Sequence, residues 1–172
     1  MFLQRFKKKS IQNHINKILN SRNISVNDNK IESVGVILNL DEFNELEDLR
    51  RFLKSIGIME NKIKFITFVT DKKLVPTPWD SYFNPKDFGW NGKIKSIELQ
   101  EFINTKFDAL ISYYKADNLE LNTVTTLSMA NFKIGISGND QRLNDFIIDV
   151  KPNQINIFKQ EILKYLKVLN KI

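Results

Sequence analysis

Few side chains in this sequence could perform catalytic chemistry. His14 is the single histidine, and the chain has no cysteine. A metal site made of several histidines in one chain, a thiolate nucleophile and a disulfide are therefore excluded. A Ser-His-Asp arrangement would have to use His14. We interpret His14 instead as a surface or phosphate-facing side chain.

Aspartates are the remaining candidates for catalysis or for binding Mg²⁺. The acids near predicted strand ends or in the long loop are Asp71, Asp80, Asp87, Asp108 and Asp117. Enzymes with α/β folds place catalytic groups at such positions, so a paired-carboxylate or Mg²⁺ site stays open. No spacing singles out a pair, and most such residues serve as caps and turns. We predict no catalytic residue, no metal site and no cofactor.

The glycines do not form a nucleotide-binding motif. Neither a dinucleotide fingerprint nor a P-loop can be drawn through the six that the chain contains. The segment Gly135-Ile-Ser-Gly138 could be a phosphate-cradling turn after a strand. We favour the alternative, a strand-end turn in which glycine adopts a positive φ.

Residues 76–92 form an aromatic segment with three of the four prolines and both tryptophans of the chain. Long connections of this kind are often functional. Aromatic rings among lysines can stack on unpaired bases while the ammonium groups meet phosphates. The residues that we assign to this role are Trp79, Tyr82, Lys86, Trp90, Lys93 and Lys95. The alternative is a hydrophobic lid over a sheet edge, made of Trp79, Phe83, Phe88 and Trp90.

The net charge of +6 lies entirely at the N-terminus. Residues 1–27 contain no acid, whereas residues 28–172 contain 20 basic and 20 acidic residues. The N-terminal basic residues are Arg5, Lys7, Lys8, Lys9, Lys17 and Arg22. Such asymmetry favours a polyanionic partner, either a nucleic acid or an anionic membrane surface. The alternative is a solvated, lysine-rich terminus. With His14, these residues are our predicted RNA contacts on the N-terminal segment.

Hydrophobic periodicity predicts alternating strands and helices after an amphipathic helix over residues 2–20. The predicted strands are 31–38, 63–69, 107–114, 132–137 and 146–150. The predicted helices run from a cap at Asp41 to Gly57, over 97–103, over 119–129, and from Pro152 to the C-terminus. Residues 70–95 are predicted to be irregular.

This alternation indicates an α/β protein with a mostly parallel sheet and helices on both faces. The expected arrangement is three-layered, Rossmann-like or flavodoxin-like, and preceded by the basic N-terminal helix. We divide the chain into a helix and linker at 1–27 and a single α/β domain at 28–172. No stretch approaches the about 20 apolar residues that span a bilayer, so we expect no integral membrane association.

Several motifs resemble an uncharacterised protein family of Bacteroidota. They are Phe88-Gly-Trp-Asn-Gly92, Phe102-Ile-Asn-Thr-Lys-Phe-Asp-Ala-Leu-Ile-Ser-Tyr-Tyr114, Phe132-Lys-Ile-Gly-Ile136, Arg142-Leu-Asn144 and Tyr165-Leu-Lys-Val-Leu-Asn-Lys-Ile172. The resemblance implies a lineage-specific accessory protein of the large ribosomal subunit. A fainter one links Phe107-Asp-Ala-Leu-Ile-Ser112 and Lys133-Ile-Gly-Ile-Ser137 to the N-terminal half of heptosyltransferase-type glycosyltransferases. The second Rossmann half of those enzymes is not found here.

We therefore predict a cytoplasmic, ribosome-associated structural protein whose partners are ribosomal RNA and neighbouring ribosomal proteins. A small-molecule or nucleotide-sugar site remains the alternative, in a pocket joining Asn39, Ser112, Ser137 and the 76–92 segment. A third hypothesis is peripheral membrane binding, with Phe2, Leu3 and Phe6 inserted among anionic headgroups.

Overall fold

A six-stranded, entirely parallel sheet forms the centre of the molecule. The computed structural model describes residues 2–70 and 81–172. Its strands are β1 (Val34–Asn39), β2 (Ile63–Phe68), β3 (Tyr82–Phe83), β4 (Ala109–Tyr113), β5 (Phe132–Gly135) and β6 (Phe146–Ile147). They lie in the order β3-β2-β1-β4-β5-β6. This is the Rossmann order, in which the chain changes direction across the sheet between β1 and β4. The predicted α/β class is confirmed.

Helices cover both faces of this sheet, as the alternating pattern predicted. They are α1 (Phe2–Ser21), α2 (Leu46–Ser55), α3 (Ile97–Asn104), α4 (Leu119–Leu127) and α5 (Ile155–Val168). Buried side chains of α2 and α5 form one hydrophobic cluster, and those of α1, α3 and α4 form the other. Because successive strand residues point to opposite faces, Val36 and Leu38 join the first cluster and Ile37 joins the second.

The helix boundaries correct two of the predicted caps. Gly57 ends α2 with φ of 103°, a left-handed conformation that glycine adopts without steric cost. Asp41 does not cap this helix, which begins only at Leu46; the Asp41 carboxylate instead accepts a 2.8 Å hydrogen bond from Thr70 Oγ1. Pro152 is also not helical, and its carbonyl accepts a 2.9 Å hydrogen bond from Tyr113 Oη.

Part of the predicted irregular stretch is ordered at the sheet edge. β3 pairs in parallel with β2, placing Phe83 beside Phe68. A short 3-10 helix follows at Pro85–Asp87, where the Asn84 side chain accepts from Lys86 N and the Asp87 carboxylate accepts from Asn84 N. A strand of two residues is too short to produce a periodic hydrophobic pattern, so the sequence did not predict it.

The second half of α1 is part of the hydrophobic core. Ile11, Ile15 and Leu19 are buried in the hydrophobic cluster that α1 shares with α3 and α4. Phe2 and Phe6 do not continue this buried stripe, although the sequence analysis had grouped them with it; they are 74% and 48% exposed. At about 3.6 residues per turn, Phe2 and Ile11 point to opposite sides of the helix. Among the described helices, none has both the length and the apolar character needed to cross a bilayer.

Candidate nucleic-acid interface

Five basic side chains of α1 have no partner in the described part of the protein. Arg5, Lys8, Lys9 and Lys17 are exposed, and Lys7 is half-buried. Within residues 2–70 and 81–172, none of these five side chains makes an ion pair or hydrogen bond. Some exposed lysines elsewhere do pair: the ammonium group of Lys54, for example, lies 2.7 Å from the carboxylate of Glu60. The cationic surface of α1 is therefore not neutralised by the body.

Mutual repulsion makes this cationic surface costly for an isolated helix. Arg5 and Lys9 are spaced i,i+4 and so face each other on one side of α1. A like-charged pair at this spacing destabilises a helix by roughly 0.2–0.5 kcal/mol. α1 contains no acidic residue to compensate. A bound polyanion would remove this repulsion.

Arg22, which we grouped with these cations, is held by the protein instead. Its guanidinium lies 2.7 Å from the carboxylate of Asp145, whose side chain is only 3% exposed. The same guanidinium donates to the carbonyl of Arg142 at 3.0 Å. Arg22 therefore anchors the C-terminal end of α1 to the segment between β5 and β6.

The N-terminal half of α1 meets the segment that follows β3. Ser10 Oγ donates a hydrogen bond to Asn91 Oδ1, and the turn Trp90–Gly92 packs against α1. Asn91 and Gly92 have φ of 54° and 74°, which bends the chain sharply at this contact. A Cβ on Gly92 would lie 3.7 Å from Cδ2 of His14, so the turn approaches α1 closely.

This contact forms one wall of an open cavity of about 670 Å³. Its lining brings together three of the predicted RNA contacts, His14, Trp90 and Lys93, from two distant parts of the chain. The remaining lining residues are Asn91, Gly92, Ile94, Gln100, Ile103, Asn104, Leu127 and Met129. Hereafter this space is called the Trp90 cavity.

The aromatic segment divides into buried and exposed rings. Phe83 and Phe88 are 0% and 1% exposed, and their centroids lie 6.0 Å apart in an edge-to-face contact. Phe83 makes a similar contact with Phe68 at 5.4 Å. Phe83 belongs to the edge strand β3 itself, and Phe88 packs on it. Trp90, in contrast, is 52% exposed.

The other predicted contacts of this segment lie outside the Trp90 cavity. Tyr82 is half-buried in β3, whereas Lys86 and Lys95 are exposed. None of these three lines the cavity. Trp79 lies outside the described residues, so its predicted role is neither supported nor contradicted.

The aspartates considered for catalysis that fall in the described part are bound by local donors. Asp108 accepts hydrogen bonds from Ser33 N at 2.8 Å and Ser33 Oγ at 2.7 Å. Asp117 accepts from the side chain of Asn122. No group of three or more acidic or histidine side chains in 2–70 and 81–172 could hold a metal ion. Asp71 and Asp80 lie outside these ranges.

Two backbone amides in the crevice where a Rossmann fold usually binds its ligand are bound by the protein itself. The Glu42 carboxylate follows β1 and accepts the backbone N–H groups of Lys115 and Ala116, after β4, at 2.6 and 2.7 Å. Ser112, expected in a pocket here, is buried and within 3.2 Å of Thr125 Oγ1. Two amides at the switch point thus bind an internal anion.

The glycine that ends β5 and the one that follows it do not adopt the predicted conformation. Neither Gly135 nor Gly138 is among the residues with positive φ. Gly135 has a different reason for lacking a side chain, because a Cβ there would lie 2.2 Å from Nδ2 of Asn144. Gly138 has no neighbour within 4 Å of such a Cβ. The conformational argument for this turn was therefore wrong.

The comparison with protein families places the chain in a group without an assigned function. The family model described as "family of unknown function (DUF6913)" matches residues 7–169. The chain belongs to the DUF6913 family. No curated protein and no solved structure matches it. The matched region begins at Lys7, so it includes most of α1 and every strand of the sheet.

Sequence reasoning missed several residues of the Trp90 cavity in this DUF6913 chain. Gln100 and Asn104 lie on α3 and had no pattern that pointed to a ligand. Met129 was included in the predicted helix over 119–129, but α4 ends at Leu127 and Met129 is 50% exposed. The one sequence signal for Met129 is an apolar residue that could be exposed, and single exposed apolar residues are common on protein surfaces.

Proposed function

We propose that this DUF6913 protein binds ribosomal RNA through α1, as a structural component of the large ribosomal subunit. The observation that carries the RNA-binding part is the set of five unpaired cations on a helix without acids. Exposed positive charge also lies before and after the turn that contacts α1, at Lys86, Lys93 and Lys95. Assignment to the ribosome rests on the resemblance to the Bacteroidota family.

The physical basis is release of counterions from RNA phosphates. Each lysine or arginine that meets a phosphate frees condensed cations, so affinity falls as salt rises. With Arg22 held by Asp145, five cations of α1 remain available. Five contacts would give a slope of about −4 for log affinity against log salt. Because these contacts are to phosphates, they supply affinity and orientation with little sequence discrimination.

The experiment reverses the charge of Lys7, Lys8 and Lys9 together, as K7E/K8E/K9E. Native lysates of the source organism carrying wild-type or variant protein are sedimented at low and moderate salt. We expect wild-type protein to move with the large subunit at low salt. The triple variant should remain in the free protein fraction, and its slope with purified ribosomal RNA should fall to about −2, since two cations remain.

A matched control changes the net charge equally on other surfaces. Lys62, Lys151 and Lys167 are exposed and, within the described chain, their side chains have no acidic partner. K62E/K151E/K167E should therefore sediment like wild type. Equal loss of binding in both triple variants would indicate an effect of net charge alone and contradict a role for α1. Wild-type protein found only in the free fraction at low salt would refute the ribosomal assignment.

A further inference from the structure

The Trp90 cavity combines features that phosphate binding by α1 does not use. Trp90 and Met129 are 52% and 50% exposed, and both line it. Two large apolar side chains exposed at one concave site often mark a place where a ligand or partner binds. Ile103, buried beneath them, and Leu127 complete an apolar wall. A flat hydrophobic group would gain apolar contact here.

The same cavity also presents polar side chains that are accessible to a ligand. His14, Gln100 and Asn104 line it, and their side chains make no hydrogen bond to the described part of the protein. An amide side chain offers both a donor and an acceptor, as do the edges of nucleobases. Lys93, exposed at the rim, adds a positive charge. An aromatic face, polar edge partners and a cation are the groups that bind unpaired nucleotides.

The position of the cavity relates it to the cationic surface. One wall is the turn Trp90–Gly92, which packs on α1, and His14 comes from α1 itself. Ser10, one residue after Lys9, holds Asn91 of this turn. Lys7 and His14 are seven residues apart and so lie on one side of α1, which places an RNA phosphate bound at Lys7 on the side of the helix that lines the Trp90 cavity.

From this geometry we infer that the Trp90 cavity captures an unpaired RNA base, which stacks on Trp90 and is bordered by His14, Gln100 and Asn104. The inference deepens the proposed RNA binding and rests on it. It adds a preference that phosphate contacts cannot give, because a base inside a duplex is not free to enter a cavity. The protein should therefore prefer RNA with a single-stranded segment.

Trp90 can report its own contact. Trp79 is the other tryptophan of the chain, so W79F leaves Trp90 as the single indole fluorophore. The probes are a single-stranded RNA of about ten nucleotides and a duplex of the same length, within the usual site size of such proteins. We expect the single strand to quench Trp90 emission and the duplex, at equal occupancy, to leave it nearly unchanged.

Substitutions then separate stacking from phosphate binding. W90A in the full chain should weaken single-strand binding by about 5- to 150-fold, which corresponds to the roughly 1–3 kcal/mol per stacked base. Its salt slope should remain that of wild type, since no phosphate contact is lost. W90F should retain most of the affinity. M59A is the control, because Met59 is 60% exposed and does not line the cavity.

The outcomes distinguish this inference from the proposed function. Equal binding of both RNAs without quenching, together with ribosome association that K7E/K8E/K9E abolishes, would overturn base capture and leave RNA binding by α1 intact. Trp90 quenching by single-stranded RNA without ribosome association would remove the ribosomal assignment and support the cavity. Quenching by an acidic peptide but by neither RNA would overturn base capture in favour of a protein partner.

Discussion

Lys133 provides a quantitative test of how the core between α1 and α4 is built. It lies on β5, its side chain is buried, and its ammonium group donates to the carbonyls of Thr125 and Thr126 at 2.7 and 3.3 Å. Both carbonyls belong to the last turn of α4, which has no further helical N–H groups to bind them. A positive charge here is also attracted by the negative end of the helix dipole.

Burial raises the free energy of the charged form of Lys133. It lowers the pKa of Lys133 from its ordinary 10.5 to about 8, with the nearby Arg22 charge lowering it further and Asp145 partly offsetting both. The unfolded chain therefore holds this proton between pH 8 and 10.5 more tightly than the folded protein does. The cost to the folded state is complete below about pH 8 and disappears as pH rises towards 10.5. A shift of this size corresponds to about 3 kcal/mol.

The perturbation is Lys133→Met, which retains the aliphatic length and removes the charge. Free energies of unfolding are measured for both proteins by urea denaturation from pH 6 to 10. The difference between them should be constant below about pH 7. Above about pH 8 the free energy of unfolding of wild type should rise relative to that of the variant by up to about 1.4 kcal/mol per pH unit, which is the limit for one proton.

The difference in free energy of unfolding between wild type and the variant cancels the contributions of other titrating groups. Burial raises the pKa of Tyr113 and of Tyr114, so both proteins should lose stability above pH 10 as these hydroxyls ionise in the unfolded chain. Parallel curves for wild type and Lys133→Met across pH 8–10 would refute the reasoning. They would mean that Lys133 is solvated in solution and does not bind the end of α4 as a buried charge.

Two further predictions concern packing. Ile15→Ala should lower the free energy of unfolding by about 2–5 kcal/mol, because Ile15 is 2% exposed, whereas Phe2→Ala should change it little, because Phe2 is 74% exposed. Thermal denaturation of both variants tests this. Equal effects of the two substitutions would contradict the docking of α1. Gly135→Ala should be strongly destabilising, because the new Cβ would collide with Asn144. Gly138→Ala should have a melting temperature near that of wild type, because the space around its Cβ is open. A tolerated Gly135→Ala would show that Asn144 can move aside.

The central elements could be predicted from the sequence because their patterns are local. β1, β4 and β5 are buried at every position and β2 at every position except Lys64, so each appears as a short and largely apolar segment. α1 was predicted as 2–20 and observed as Phe2–Ser21, because helical periodicity is also a local pattern. Edge strands have no such pattern: β3 was not predicted, and β6 has only the residues Phe146–Ile147 of the five predicted.

The charge of the candidate interface was also a property of sequence, because an excess of lysine without acids can be counted in any stretch of chain. Which of those charges remain available was decided by tertiary structure. Arg22 and Lys17 look equivalent in the sequence, yet the fold places Asp145 beside Arg22 and leaves Lys17 exposed. The Trp90 cavity likewise exists only because folding brings α1 against a turn that lies far along the chain. Composition and periodicity describe neighbours in sequence, whereas a cavity or an ion pair depends on neighbours in space.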